Sequence, residues 1–198
     1  MIRDLVYANR TCRRFVESHR ISREDLLSLV DLARLSASAG NLQPLKYLLV
    51  HEEEDRGRMF PLLGWAAYLS GWKGPAEGER PAAYIAILCD TGISANPGCD
   101  HGIAAQTILL AAREMGLAGA MIGAVNAKGV KKAFDVPEPL SVLLVLALGR
   151  PLETAVIEPV GENGDIRYWR DDQGVHHVPK RALEEVVVFS GQCLEAAD

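Results

Sequence analysis

The amino-acid sequence predicts an α+β fold, and three observations carry that expectation. Apolar stretches of strand length (Tyr47–Val50, Ala83–Cys89, Ser141–Leu148) are interleaved with helical patterns, but without the βαβ cadence of a doubly wound sheet. The one glycine-rich segment, residues 116–125, follows a helix instead of opening one, and it lacks the G-x-G-x-x-G spacing of a dinucleotide fingerprint. A long polar arm over residues 151–180 leads to a last apolar stretch, an arrangement that lets two subunits exchange an element.

Composition narrows the class. The 198 residues are 48% hydrophobic and 24% charged, which describes one globular domain over residues 1–198. A net charge of −5 excludes a general nucleic-acid binder, whose footprint is basic. No basic amphipathic helix points to a membrane surface, and the chain opens on Met1-Ile-Arg-Asp, without an apolar signal core. The apolar runs, Val142 to Leu148 among them, are far short of the about 20 residues that span a bilayer. The expectation is a soluble cytoplasmic protein. Cys12, Cys89, Cys99 and Cys193 are too sparse for a disulfide scaffold. Cys99-Asp100-His101 finds no second cluster to complete a metal site, so no metal is expected.

Taken in order, residues 5–15 begin as a helix and open into Asn9-Arg-Thr-Cys-Arg-Arg-Phe15, where three arginines form either a solvated surface or an anion site. Ser22-Arg-Glu-Asp25 is a capping box, with Ile21 and Leu26 as a hydrophobic staple. It opens a helix carrying Leu26, Leu29, Val30 and Ala33 on one face. That helix runs into Ser36-Ala-Ser-Ala-Gly-Asn-Leu-Gln-Pro44, whose small or amide-bearing residues leave the backbone open to a flat ligand; the plain alternative is an ordinary helix end. A strand at 47–50 and a charged turn over 51–56 follow.

Trp65, Tyr68 and Trp72 gather next to a Gly/Pro-rich connection over 71–81, either as walls of a cleft beneath a flap or as core aromatics. After the strand at 83–89, Asp100 to Met115 reads as a helix apolar on nearly every side, ended by Gly116 and buried inside a domain or between subunits. The strand that follows carries Ile122 and Gly123, whose backbone could face a ligand. Asn126 caps a short helix ended near Pro137, and Ser141 to Leu148 is a strand. Residues 151–179 read as irregular, and Glu185 to Phe189 as a final strand.

No Gly-x-Ser-x-Gly elbow, phosphate loop or His-Glu-x-x-His occurs, and no histidine lies beside a convincing nucleophile. An enzyme of this composition therefore relies on a cofactor for the hard step. The arginines ask for an anionic group and the small-residue loop for a flat polar edge. Flavin mononucleotide offers both, as do several nucleotides.

Four segments in order resemble the FMN-dependent nitroreductase family: 9–15, 36–44, 102–123 and 180–186. The resemblance covers nearly the whole chain. It implies an α+β homodimer with a central, mainly antiparallel sheet flanked by helices, and FMN in clefts at the subunit interface. It implies ping-pong chemistry in which NADH or NADPH reduces the flavin and a nitroaromatic, quinone or similar flat small molecule reoxidises it. Carried onto this chain, it assigns Arg10 and Thr11 to the phosphate and Arg13 to the pyrimidine side of the ring as an electrostatic stabiliser. Ser38, Asn41 and Gln43 fall on the flavin loop, Ile122 and Gly123 on the backbone near the ring, and Lys180 and Arg181 on the phosphate. The chain departs from the family pattern at Asn9, where arginine is usual, at Ala37, where proline is common, and at Leu45, where an aromatic often stands. The alternative reading is a flavin-binding protein without NAD(P)H turnover: a carrier, a sensor or a flavin-consuming enzyme.

Overall fold

The computed structural model describes residues 1–188. The chain divides into two compact units, Met1 to Glu153 and Thr154 onward, and each is described by itself.

The first unit is built on four antiparallel strands: β1 (Leu45–Val50), β2 (Ala83–Asp90), β3 (Ala118–Ile122) and β4 (Leu140–Gly149), in the order β1-β2-β4-β3. Side chains alternate across a strand, so each strand has two faces to cover. On one face Ile85, Ile87, Leu146 and Leu148 pack against Leu26, Leu29 and Ala33 of α2 (Arg23–Arg34) and Ala104, Ala105, Ile108 and Ala112 of α4 (Asp100–Glu114). On the other, Tyr84, Ala86, Val145 and Ala147 pack against Met59 of α3 (Glu53–Met59) and Val130 of α5 (Ala127–Ala133). Both faces being dry, β2 needs no polar side: none of Ala83 to Cys89 is more than 3% exposed. That is why these strands read as unbroken apolar runs.

Local signals place the helices. Ser22 Oγ accepts from the Asp25 N–H at 3.0 Å, and an Asp25 carboxylate oxygen accepts from the Ser22 N–H at 3.0 Å, closing the capping box. Ile21 and Leu26 are buried in the same cluster. The Asn126 side chain accepts from Gly129 N at 3.0 Å and starts α5. α4 stops at Gly116, whose φ of 76° lies in the left-handed region that favours glycine. α1 (Ile2–Ala8) buries no side chain.

Three expectations need correction. The charged turn at 51–56 is instead the start of α3: Glu53, Glu54 and Asp55 lie in its first turn, where acidic groups favour the helix dipole, and Met59 is fully buried. The arm is not irregular. It forms the second unit, a three-stranded sheet of β5 (Ala155–Pro159), β6 (Trp169–Arg170) and β7 (His176–Lys180), with β7 central, parallel to β5 and antiparallel to β6. The final strand expected from Glu185 is a short helix, α6 (Leu183–Val186). The Glu185 carboxylate accepts from Ala182 N at 3.1 Å and meets Arg181 at 3.3 Å, ties that favour a helical turn. Phe189, the end of that expected strand, and Cys193 lie outside the described residues. No helix among the described residues is long and apolar enough to cross a membrane.

Candidate functional site

The small-residue loop is a tied knot with two amides on its outside. Ser38 Oγ donates to Asp100 Oδ2 at 2.6 Å and accepts from Gln43 N at 2.9 Å. Ala39 N donates to Asp100 Oδ1 at 3.0 Å. Between these ties Gly40, Asn41 and Gln43 take φ values of 57°, 54° and 53°, a region L residues occupy only when held there. Asn41 and Gln43 are exposed, and Gln43 Nε2 meets the Asn41 backbone and side-chain oxygens at 3.3 and 3.2 Å. A cavity of about 240 Å³ opens beside the loop, with Ser38, Gln43, Tyr47, Lys46 and Asp100 in its lining. Burial, aided by the Asp100 charge, pushes the Tyr47 hydroxyl up from its ordinary value.

The N-terminal arginines are positioned by β3. Thr11 bridges Gly119 in parallel, and Cys12 N donates to Gly119 O at 3.0 Å. The three arginines then separate in role. Arg14 grips Glu79 through Nε at 2.7 Å and through a second, shorter contact, and this partner raises its pKa. The Arg13 and Arg14 backbone N–H groups both donate to Glu153 Oε1. Arg10 Nη2 donates to Val6 O at 2.6 Å, while its Nε is buried with no acceptor among the described residues. The Cys12 thiol is pushed up to about 12, by burial first and the Glu153 charge second.

At the far end of the same strand, Ile122 is buried and Gly123 exposed, and a Cβ built on Gly123 would meet nothing within 4 Å. Gly64 N donates to Ala124 O at 2.7 Å, so the aromatic segment departs from beside this backbone. Trp65 packs on Phe60 (5.6 Å between centroids) and edge-on to Trp72 (6.4 Å), a small aromatic core of its own, while Tyr68 is half exposed.

The predicted residues thus gather in two places within the first unit. Thr11, Ile122, Gly123 and the start of the aromatic segment follow the β3 edge of the sheet. The loop carrying Ser38, Asn41 and Gln43 feeds directly into β1, the opposite edge. Three inter-strand steps of about 4.8 Å, roughly 14 Å in all, separate the two edges.

Lys180 and Arg181 belong to the second unit, where they line a shallow depression with Tyr168, Val178 and Val186. A cluster around Trp169 and His177 supplies this unit's central tie. Trp169 stacks flat on His177 (4.0 Å, 8°) and donates through Nε1 to Glu158 at 3.0 Å. His177 Nδ1 meets Glu158 at 3.0 Å and Nε2 meets Asp171 at 3.2 Å. Hydrogen bonds to Asp171 and then Glu158 raise the His177 pKa. Those from His177 and Trp169 lower Glu158; at Asp171 burial acts upward but is outweighed by donors from His177, Val175 and Gln173.

Sequence reasoning missed Asp100 and Glu153. The only signal for Asp100 was its place in a triplet set aside as metal-like, and nothing local marks Glu153, which acts 139 and 140 residues away.

A two-faced antiparallel sheet, with polar or open backbone at both edges, defines an α+β domain unlike a doubly wound nucleotide fold. Residues 6–85 and 91–150 match the Nitroreductase family, and the chain belongs to that family. An NADPH-flavin oxidoreductase of Vibrio harveyi is 25% identical over 173 residues, covering 79% of this chain and 68% of that protein. A protein of Archaeoglobus fulgidus described as an NADH dehydrogenase/NAD(P)H nitroreductase is 27% identical over 155 residues, covering 74% of this chain and 83% of its own length. Among solved structures, a nitroreductase of Exiguobacterium sibiricum in complex with FMN superposes with a TM-score of 0.62 at 19% identity, over 77% of this chain and 89% of that one.

Proposed function

We propose that the chain is an FMN-dependent NAD(P)H oxidoreductase, a single FMN-binding domain over residues 1–198 that works as a homodimer. Its substrates are nitroaromatic, quinone or similar flat acceptors, reduced in alternation with nicotinamide oxidation. The observation that carries this reading is the loop at 38–43, which holds two exposed amides outward on a backbone stripped of bulk. The residues fit the cofactor: Arg10 has a buried N–H without an acceptor among the described residues, and open space lies over Gly123 where a flat ring could rest.

Bound FMN would supply the hydride and electron transfer. The protein's part is to bind and polarise. Arg10 and Thr11 hold the phosphate, since guanidinium forks match its oxygens. Arg13 would offset negative charge that develops on the bound cofactor when it is reduced. Asn41 and Gln43 satisfy the polar edge, and the Ile122–Gly123 backbone lets the ring lie close. Two copies supply what the opposite edges of one sheet keep apart: the loop of one protomer and the β3 edge of its partner. Ile103 on α4 and Ile2, Val6 and Tyr7 on α1 stand exposed as apolar surface for that contact. Trp65, Tyr68 and Trp72 rise beside the β3 edge as the acceptor's side of the cleft.

The test is the visible spectrum of the purified protein before and after anaerobic NADH or NADPH. A flavin band that bleaches with either nucleotide and returns with a quinone supports the proposal. A protein that takes up no FMN refutes it, and flavin that stays oxidised moves the assignment to a carrier or sensor.

A further inference from the structure

A buried carboxylate on α4 holds the small-residue loop from a different element. A serine hydroxyl has one proton and two lone pairs. At Ser38 the proton goes to Asp100 at 2.6 Å, and one lone pair takes the Gln43 N–H at 2.9 Å. The second Asp100 oxygen takes the Ala39 N–H at 3.0 Å. One carboxylate, 4% exposed at the start of α4, therefore fastens three residues of the loop: Ala39 through its backbone, Ser38 through its hydroxyl, and Gln43 by way of Ser38. Between the fastened points lie the left-handed residues that turn Asn41 and Gln43 outward. A buried carboxylate needs such donors, and a charge-assisted bond resists reorientation more than a neutral one.

We propose that Asp100 is a positioning residue for the flavin site: acting through Ser38, it holds the loop in the one shape that presents Asn41 and Gln43. Ser38 is then a link inside the loop, its proton already committed, and not itself a donor to the cofactor. This inference rests on the FMN reading given above. It adds a buried residue on a different element, 61 and 62 residues from the groups it holds.

The experiment uses the full chain as apoprotein, titrated with FMN by fluorescence, together with amide hydrogen exchange on the flavin-free protein. Asp100→Asn replaces an acceptor oxygen with a donor facing the Ser38 hydroxyl. It should weaken FMN binding at least about tenfold, alter the shape of the bound-flavin visible band, and speed exchange at Ala39 and Gln43 while β2 amides keep their rates. Ser38→Ala should weaken binding similarly and speed exchange at Gln43. Ser38→Thr, which keeps the hydroxyl, should stay within about twofold of wild type, and the Asp100→Asn/Ser38→Ala pair should bind no more than about twofold worse than the weaker single variant, because both remove one bond. FMN binding by Asp100→Asn within about twofold of wild type, additive losses, or unchanged Ala39 and Gln43 exchange would overturn the proposal. Wild-type protein that never binds FMN overturns the functional reading instead, and exchange at Ala39 and Gln43 still decides whether Asp100 shapes the loop. Should Asp100→Asn fail to fold, the contrast between Ser38→Ala and Ser38→Thr carries the test.

Discussion

Replacing Gly119 by alanine should damage both stability and the site. Gly119 lies in β3, and a Cβ there would sit 2.7 Å from the Ala147 carbonyl oxygen, 2.7 Å from Leu109 Cδ2 and 2.8 Å from Leu148 Cδ2. The two leucine methyls could turn aside, but the carbonyl belongs to the central strand β4 and can move only with the sheet. Overpacking of this kind costs about 1–3 kcal/mol, and in a domain of this size that lowers Tm by roughly 2–12 °C. The displacement also passes outward, because Gly119 O accepts from Cys12 N and its residue bridges Thr11. Thermal and urea unfolding followed by circular dichroism would read the stability, and FMN titration the site. A variant within about 0.5 kcal/mol of wild type would show that β3 yields freely, refuting the packing argument.

Arg10→Ala should weaken FMN about tenfold to a hundredfold, the worth of a hydrogen bond to a charged group; fluorescence titration with an unchanged affinity would remove Arg10 from the site. Alkylation mapped by mass spectrometry at pH 8 should label the exposed Cys99 and spare Cys12, whose thiol is buried and pushed up to about 12; equal labelling would contradict that environment. His177, raised above its ordinary 6.5, should titrate by NMR with a midpoint above that value, and a midpoint at or below it would rule out the two-carboxylate clasp. The sign follows: its contribution to stability is complete below the unfolded value and lost as pH rises through the folded one, whereas that of Glu158 is lost as pH falls through its lowered pKa.

What the sequence made legible was local or repeated. Ser22 and Asp25 announce the start of α2 within four residues, and Gly116 announces the end of α4, because capping chemistry is written next to the turn it closes. The central strands were visible through burial on both faces. Short polar strands gave no such sign: β6 spans two residues, Trp169 and Arg170, and is held by a ring stacked on His177 and not by an apolar pattern. The small-residue loop could be located, yet its anchor could not, since Asp100 meets Ser38 only after α4 has packed across the sheet. Strand order is equally nonlocal, so nothing in the sequence told that the loop and Thr11 occupy opposite edges.

Thr11 and Cys12 lie along the outer margin of β3 at Gly119. They serve as a seal as well as an arm. Trimming those residues, or stiffening them with a fused tag, would bare hydrogen-bonding groups of a strand that has no neighbour on that side, and such margins recruit other chains. Insoluble protein from a shortened version would then report an unsealed sheet, not a lost cofactor.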